Sequence, residues 1–384
     1  MSREVPCIMY HTVGIPKPDW VWSFLTMPFE TFDHEMRVLK KCGYRTLSSA
    51  EFLECHRTGE FPDKAVYLTF DDGYLDNWVF AAPILEKYGF CGTIFVNPDF
   101  VDPSTGLRPR YDERPVDELE LYGFLNWDEM REMERRGCME IQSHAMTHTW
   151  YFSSPEIVDF HHPGDDYVWM DWNDRPERKY GYLGADAYRG NWGAPVYAHR
   201  KSLSGPVYTP DPSVREGLIA FAAEQGEGFF DRADWREALG GKADELQATA
   251  GEGRLETDAE YLERVRWELT ESKRVLEREL GKSVDVFCWP GGGYSDEAEA
   301  IAASLYKGVT VGSAKRDQGG WDEHGSFKIA RIGAQSLFFE DGSIIYPGGW
   351  YTCLFLREYQ GDGVARFFRQ MYKAALLLKR KMAR

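Results

Sequence analysis

The chain has 384 residues, 43% of them hydrophobic and 28% charged, the composition of a folded globular protein; it excludes wholesale disorder, a collagen-like repeat and a membrane-embedded chain. The 45 Lys and Arg stand against 62 Asp and Glu, a formal net charge of −17. Such a field repels a phosphate backbone and argues against a nucleic-acid partner.

The first half alternates short β-rich runs with helical runs, the pattern of parallel strands joined by crossover helices. Strands are predicted at 5–10, 45–47, 65–70, 91–96 and 138–142. Phe29, Phe32, Met36 and Leu39 recur at helical spacing, and that run stops at Gly43. Asn126 with Glu129 three residues on reads as a capping box for a helix ending near Gly137. After an interval from 150 to about 258 the alternation resumes, with helices at 261–280 and 295–305 and strands at 284–289, 308–314 and 327–332. A closed or nearly closed α/β barrel fits this count better than a sandwich. The chain then divides into a first barrel part (1–149), an insertion on the barrel face (150–258), a second barrel part (259–362) and a C-terminal helix (363–384).

The first part of the interval, 150–208, holds 13 Phe, Trp or Tyr in 59 residues, against 15% aromatic for the whole chain. That surplus suits either stacking on sugar rings or a small core of the insertion's own. The last helix carries Phe367, Phe368, Met371, Tyr372, Ala375, Leu376 and Leu378 on or near one face, and seven Lys or Arg from Arg366 onward with no acid. Two readings follow: peripheral contact with anionic lipid, or a final helix docked on the barrel with its basic end solvated.

Seven cysteines (Cys7, Cys42, Cys55, Cys91, Cys138, Cys288 and Cys353) stand singly, without CxxC spacing, and their odd number leaves at least one thiol unpaired. This predicts a reducing, cytoplasmic compartment. No secretory leader is visible at the N-terminus, and no apolar run reaches the ~18 residues that cross a bilayer.

Four polar groups follow predicted strands, where a parallel barrel gathers its active site. In Thr69-Phe70-Asp71-Asp72-Gly73-Tyr74 two adjacent carboxylates repel each other unless a cation sits beside them; the alternative is a surface turn. In Ser143-His144-Ala145-Met146-Thr147-His148 the two histidines can face one divalent cation, with a carboxylate as third ligand, or serve as solvated or capping groups. His11 ends the first strand and is suited to giving a proton to a leaving amine, unless it is a core histidine. Trp289-Pro290-Gly291-Gly292-Gly293 closes another strand with glycines that let backbone N–H groups approach a ligand, or simply form a turn.

Taken together and in this order, these motifs resemble the polysaccharide deacetylase family, carbohydrate esterases that share the NodB homology domain. Thr69-Phe70-Asp71-Asp72-Gly73 resembles its first motif, and Ser143-His144 with His148 its second. The resemblance covers 5–148 and 261 to about 334, including Asn126-Trp127. It implies an α/β fold, a distorted (β/α)7 barrel of the NodB-homology type carrying a large aromatic-rich insertion. It also implies metal ligation by Asp72, His144 and His148, most often of Zn2+, with Asp71 as general base. In the branch with an N-terminal Met-Tyr-His segment, His11 takes the acid role. Two departures stand out: Trp289 replaces an arginine common in the third motif, and there is no Leu-x-His motif near the C-terminus.

The activity expected is metal-dependent removal of an N-acetyl or other N-acyl group from a sugar. Gly292 would supply an oxyanion donor, with Trp289, Pro290, Tyr74 and Trp127 near the substrate. A cytoplasmic enzyme, peripheral at the inner membrane face, would meet a carrier-linked precursor of a surface polysaccharide or glycolipid. The alternatives are hydrolysis of a small non-sugar amide or formyl group on the same fold, or an inactive carbohydrate-binding relative.

Overall fold

The structure, a computed structural model, describes residues 4–18, 20, 22–181, 190–312, 319–339 and 342–383. Residues 313–314 of the expected strand, Tyr182 and Tyr188 of the aromatic-rich stretch, and Arg384 lie outside them.

Apolar and β-branched runs form seven parallel barrel strands: β1 (Cys7–Tyr10), β2 (Ala65–Phe70), β3 (Gly92–Val96), β4 (Met139–Ser143), β5 (Val286–Phe287), β6 (Gly308–Thr310) and β7 (Phe327–Ile329, resumed at Ile332–Gly333). Their neighbours run in the order β6-β5-β4-β3-β2-β1. Strand β7 closes the ring. Its first half pairs with β6 through Gly308↔Phe327 and Thr310↔Ile329, and its second half with β1 through Ile8↔Ile332 and Met9↔Gly333. The strand expected at 327–332 is therefore present but broken at Ala330 and Arg331, where it passes from one partner to the other. That break, and the short strand Arg45–Thr46 wedged against the start of β2, make the barrel a distorted one.

Period-two alternation sorts the strand side chains into two sets. Cys7, Tyr67, Phe95, Cys288, Phe327 and Ile329 share one buried cluster inside the ring, together with Phe52 and Leu53 of the helix Ser49–Thr58. Ile8, Phe70, Ile141, Phe287, Trp289 and Val309 point the other way, into the larger cluster beneath the helices.

The covering helices are α1 (Phe29–Lys41), α2 (Ser49–Thr58), α3 (Ala82–Tyr88), α4 (Trp127–Arg136), α5 (Asp258–Leu280) and α6 (Asp296–Leu305). Helix α2 closes the N-terminal end of the ring, with Ser49 Oγ 2.7 Å from the Tyr67 hydroxyl. The capping box at Asn126 forms: its side chain accepts from the Glu129 N–H at 2.9 Å, Glu129 accepts from the Asn126 N–H at 3.0 Å, and Gly137 ends the helix in the left-handed region.

Between β4 and α5 the chain forms an antiparallel hairpin of Trp150–Phe160 and Pro195–Lys201, then the helices Pro212–Gln225 and Trp235–Gln247. Alternation rules did not reveal this hairpin, because its strands are half-exposed and interrupted by bulges. Many rings of this region are buried in protein cores. Trp169, Met170 and Trp172 pack with Tyr74, Phe100 and Phe124 of the barrel, and Phe160, Phe229 and Trp235 anchor a second cluster with Leu218 and Leu239. Two further helices end the chain, α7 (Gly349–Tyr359) and α8 (Gly363–Ala383). Helix α7 is tied to α1 and β1 through buried Glu35, which accepts from Thr352 at 2.7 Å and from Tyr10 at 2.9 Å.

The hairpin end also holds a buried histidine between two acids. His161 Nδ1 is 2.7 Å from Asp165, and its Nε2 is 3.4 Å from Asp171. Burial works against the charge, but the two carboxylates prevail and raise the imidazole to about 9. Because the folded value lies above the unfolded one of about 6.5, this stabilisation is complete below pH ~6.5 and is lost as pH rises through about 9. Urea unfolding followed across this range should show stability falling by up to about 3 kcal/mol from this group. Asp165→Asn should flatten the dependence; an unchanged slope in that variant would remove the assignment.

Candidate active site

Parity places the inward-facing residues at the C-terminal mouth of the barrel. His11 follows β1, Asp71 follows β2, His144 follows β4, Cys288 follows β5, and Arg331 sits in the break of β7. All continue the inward series of their strands, whereas Trp289 falls on the outward series.

Asp71 is 4% exposed and receives a bidentate pair from Arg331, with Nη1–Oδ1 at 2.6 Å and Nη2–Oδ2 at 2.9 Å. Burial alone would raise its carboxyl, but the Arg331 guanidinium, with His144 and His11, outweighs burial and holds it below its ordinary value. His11 Nε2 stands 3.9 Å from Asp71 Oδ2, and the His11 carbonyl accepts from Asn77 Nδ2 at 3.1 Å. The segment after His11 is anchored by buried Asp76, which accepts from Thr12 at 2.8 Å and from Lys17 at 2.9 Å. Gly14 is required there, since a Cβ would come within 2.7 Å of the Asp76 carboxylate.

Asp72 turns the other way. Its φ of 75° is in the left-handed region, and its Oδ1 lies 3.2 Å from His144 Nε2 and 3.1 Å from His148 Nε2. Burial would raise this carboxyl as well; the neighbouring His148 and His144 side chains instead hold it well below the carboxylate range. His144 Nδ1 is 2.8 Å from the Cys288 carbonyl. A carbonyl can only accept, so Nδ1 carries the proton and Nε2 keeps its lone pair for the site.

The short loop between the two histidines is strained and held. Ala145 and His148 have φ of 62° and 41°, values that cost L-residues free energy and persist only where the surroundings fix them. Buried Glu268 of α5 accepts from the Met146 N–H (2.9 Å), the Thr147 N–H (3.0 Å) and the Thr147 hydroxyl (2.5 Å). Asn97 donates to the His144 carbonyl from β3's end, and Lys179 donates to the Thr147 carbonyl at 3.0 Å while pairing with Asp99 at 3.1 Å.

One carboxylate and two imidazoles whose Nε2 atoms face a common point form the donor set of an open divalent-metal site. The 3.1–3.2 Å separations resemble the edge, about 3.4 Å, of a tetrahedron with ~2.1 Å bonds. The residues fit a metal ion. Asp71, His144 and Cys288 also offer atoms within 4.8 Å of one another, but Arg331 occupies both Asp71 oxygens, and burial, only partly offset by the Arg331 charge, pushes the Cys288 thiol well above its usual range.

Of the expected substrate residues, Tyr74 lines a small cavity against Asp72 and His148, with Trp22, Phe100, Phe124 and Trp172 on its walls. Its volume, about 10 Å³, is room for about one water. The structure brings the others elsewhere. Trp289 is 1% exposed and stacked on Tyr294 at 4.5 Å, Pro290 is buried, and Trp127 opens α4 against the main core. The Gly292 N–H donates to the Trp289 carbonyl at 3.0 Å within a tight turn and so is not free for an oxyanion. Arg331 was missed, although the predicted strand 327–332 contained it; its parity with Phe327 and Ile329 was the available signal. Glu268 was missed because it reads as one more charge on an amphipathic helix.

The mouth of the parallel α/β barrel thus gathers an arginine-paired aspartate beside a second aspartate that faces two imidazoles. Residues 58–162, which contain Asp71, Asp72, His144 and His148, match the polysaccharide deacetylase family model. The chain is 31% identical over 146 residues to the YxkH protein of Bacillus subtilis, covering 38% of this chain and 43% of that protein. It is 30% identical over 139 residues to the poly-beta-1,6-N-acetyl-D-glucosamine N-deacetylase of Escherichia coli K12, covering 36% and 20%. The matches thus span less than half the length of these relatives. Among solved structures, the BpsB deacetylase domain of Bordetella bronchiseptica superposes with a TM-score of 0.49 at 16% identity, over 87% of this chain and 97% of that one.

The Asp71–Arg331 pair makes a direct prediction. Arg331→Met leaves a buried carboxylate without its countercharge and should cost about 3–5 kcal/mol in urea unfolding. Arg331→Met combined with Asp71→Asn should recover most of that loss, and a double variant no more stable than the single one would refute the coupling.

Proposed function

We propose that the protein is a divalent-metal-dependent N-deacetylase acting on an N-acetylated saccharide. The observation that carries this reading is the division of labour between two neighbouring aspartates: Asp72 shares a point with His144 and His148, while Asp71 beside it is held ionised by Arg331. The names of the relatives supply the substrate class.

Asp72, His144 and His148 would hold the ion, zinc being the expected one. The chemistry supplied when it is bound is Lewis-acid polarisation of the acyl carbonyl and acidification of water. Asp71, fixed by the Arg331 fork, takes the proton of the water that attacks the acyl carbon. His11 gives a proton to the departing amine as the C–N bond breaks, so that an amide and one water become a free amine and acetate. The Asp71–His11 separation of 3.9 Å sets the two proton-transfer groups side by side at the mouth. Arg331 fills the role left open by Trp289 in the third motif: it reaches Asp71 from the last barrel strand.

In the reading we propose, the enzyme works in a reducing, cytoplasmic compartment on a carrier-linked sugar precursor, an expectation that rests on seven cysteines standing singly in the sequence. One observation favours a second reading, hydrolysis of a small non-sugar amide: Trp172 of the insertion lines the cavity beside His148 and leaves it little room. Acetate release from N-acetylglucosamine oligomers, from monomeric N-acetyl sugars and from small N-acyl amides separates the two. An inactive binding relative would release acetate from none.

Chelation should abolish acetate release and added zinc restore it, with bound metal measured by elemental analysis. Asp71→Asn should lower kcat about 10²–10⁴-fold while metal content stays near stoichiometric. His148→Ala should lose the metal itself. Full activity in Asp71→Asn, or metal retained in His148→Ala at wild-type affinity, would overturn these assignments.

A further inference from the structure

Helix α8 docks through its narrow side. Ala365 is fully buried, Arg369 bonds Glu358 at 2.5 Å and the Tyr351 hydroxyl at 2.9 Å, and the Tyr372 hydroxyl donates to the Pro347 carbonyl at 3.2 Å. The wide apolar side faces away from the protein. Val364, Phe367, Phe368, Met371, Leu378 and Met382 are between 52% and 79% exposed. At 100° per residue they fall within one arc of about 100°. The docked-helix reading of the sequence is therefore true of the helix but not of this face.

Basic residues border the arc. Lys379 lies at one margin and Lys381 at the other, with Arg366 and Lys373 beyond Lys381, and α8 contains no acid. This stands against the net charge of −17 of the whole chain. An apolar groove of about 490 Å³ between α7 and α8 shares Phe368 and Met371 with the exposed face and carries Trp350, itself 43% exposed, at its edge.

We propose that α8 is an interfacial helix that lies on an anionic lipid surface. Its outward apolar arc enters the acyl boundary, and its bordering lysines meet lipid phosphates. A second copy of the chain is a poorer occupant, because apposing two such faces brings Lys379 and Lys381 of each copy toward one another, whereas an anionic bilayer neutralises them. This inference goes beyond the deacetylase reading and does not rest on it.

The test is co-sedimentation of the full chain with phosphatidylcholine vesicles and with vesicles containing about one-third phosphatidylglycerol, at low and high salt. Wild type should partition onto the anionic vesicles and be released by salt. Lys379→Gln with Lys381→Gln should weaken partitioning about 25-fold, fivefold per charge. Phe367→Ser with Phe368→Ser and Leu378→Ser should abolish it, with thermal unfolding by circular dichroism unchanged because all three side chains are exposed. Equal partitioning onto neutral vesicles, or none by wild type, overturns the proposal. So does a dimer in light scattering that the serine variant dissolves, which would assign the face to a second copy.

Discussion

Two adjacent carboxylates buried at the end of one strand cannot both remain ionised unless each has its own cation. This constraint organises the protein. Because successive residues at a strand end point to different places, Asp71 and Asp72 diverge, and the barrel answers them separately: a guanidinium for the first, and for the second two imidazoles arranged around a common point that fits a cation. The Asp71 answer comes from the place where the ring closes. Arg331 lies between the half of β7 that pairs with β6 and the half that pairs with β1, so the distortion of the barrel and the neutralisation of Asp71 are one feature.

The supporting structure is polar and buried. Left-handed backbone at Ala145 and His148 is tolerated because Glu268, Asn97 and Lys179 fasten the loop that carries the histidines. On the other side, Asp76 gathers Thr12 and Lys17, and Asn77 holds the carbonyl of His11. Each of these residues acts on the mouth through another group, by holding the segments that carry His11, His144 and His148. Such networks are costly when broken and specific when complete.

Much of the site was legible because its residues stand directly after strands whose apolar runs are easy to read. Asp71-Asp72, His144, His148 and His11 were found in that way, and the structure brings all five to one mouth. Trp289 and Gly292 misled because position after a strand was weighed without parity. Trp289 is one residue out of step with the inward series and therefore packs under the helices, stacked on Tyr294, while its neighbour Cys288 faces the site. Arg331 has the opposite history: it was in a predicted strand and in the inward register, but nothing local distinguishes it from a solvated arginine. The hairpin of Trp150–Phe160 and Pro195–Lys201 was hidden for another reason, since its partners are about forty residues apart and its aromatic content does not alternate.

The sequence by itself determined the alternating α/β architecture, the helix caps at Asn126 and Gly137, and the two motifs that resemble those of the polysaccharide deacetylases. Those features depend on local periodicity, on turn and cap chemistry, and on residue type. Only the tertiary structure decided which charge neutralises Asp71, which helix pins the histidine loop, and which side of α8 meets the protein. These pairings join residues up to 260 positions apart, and they are settled by ring closure and packing, about which no local window of the chain carries information.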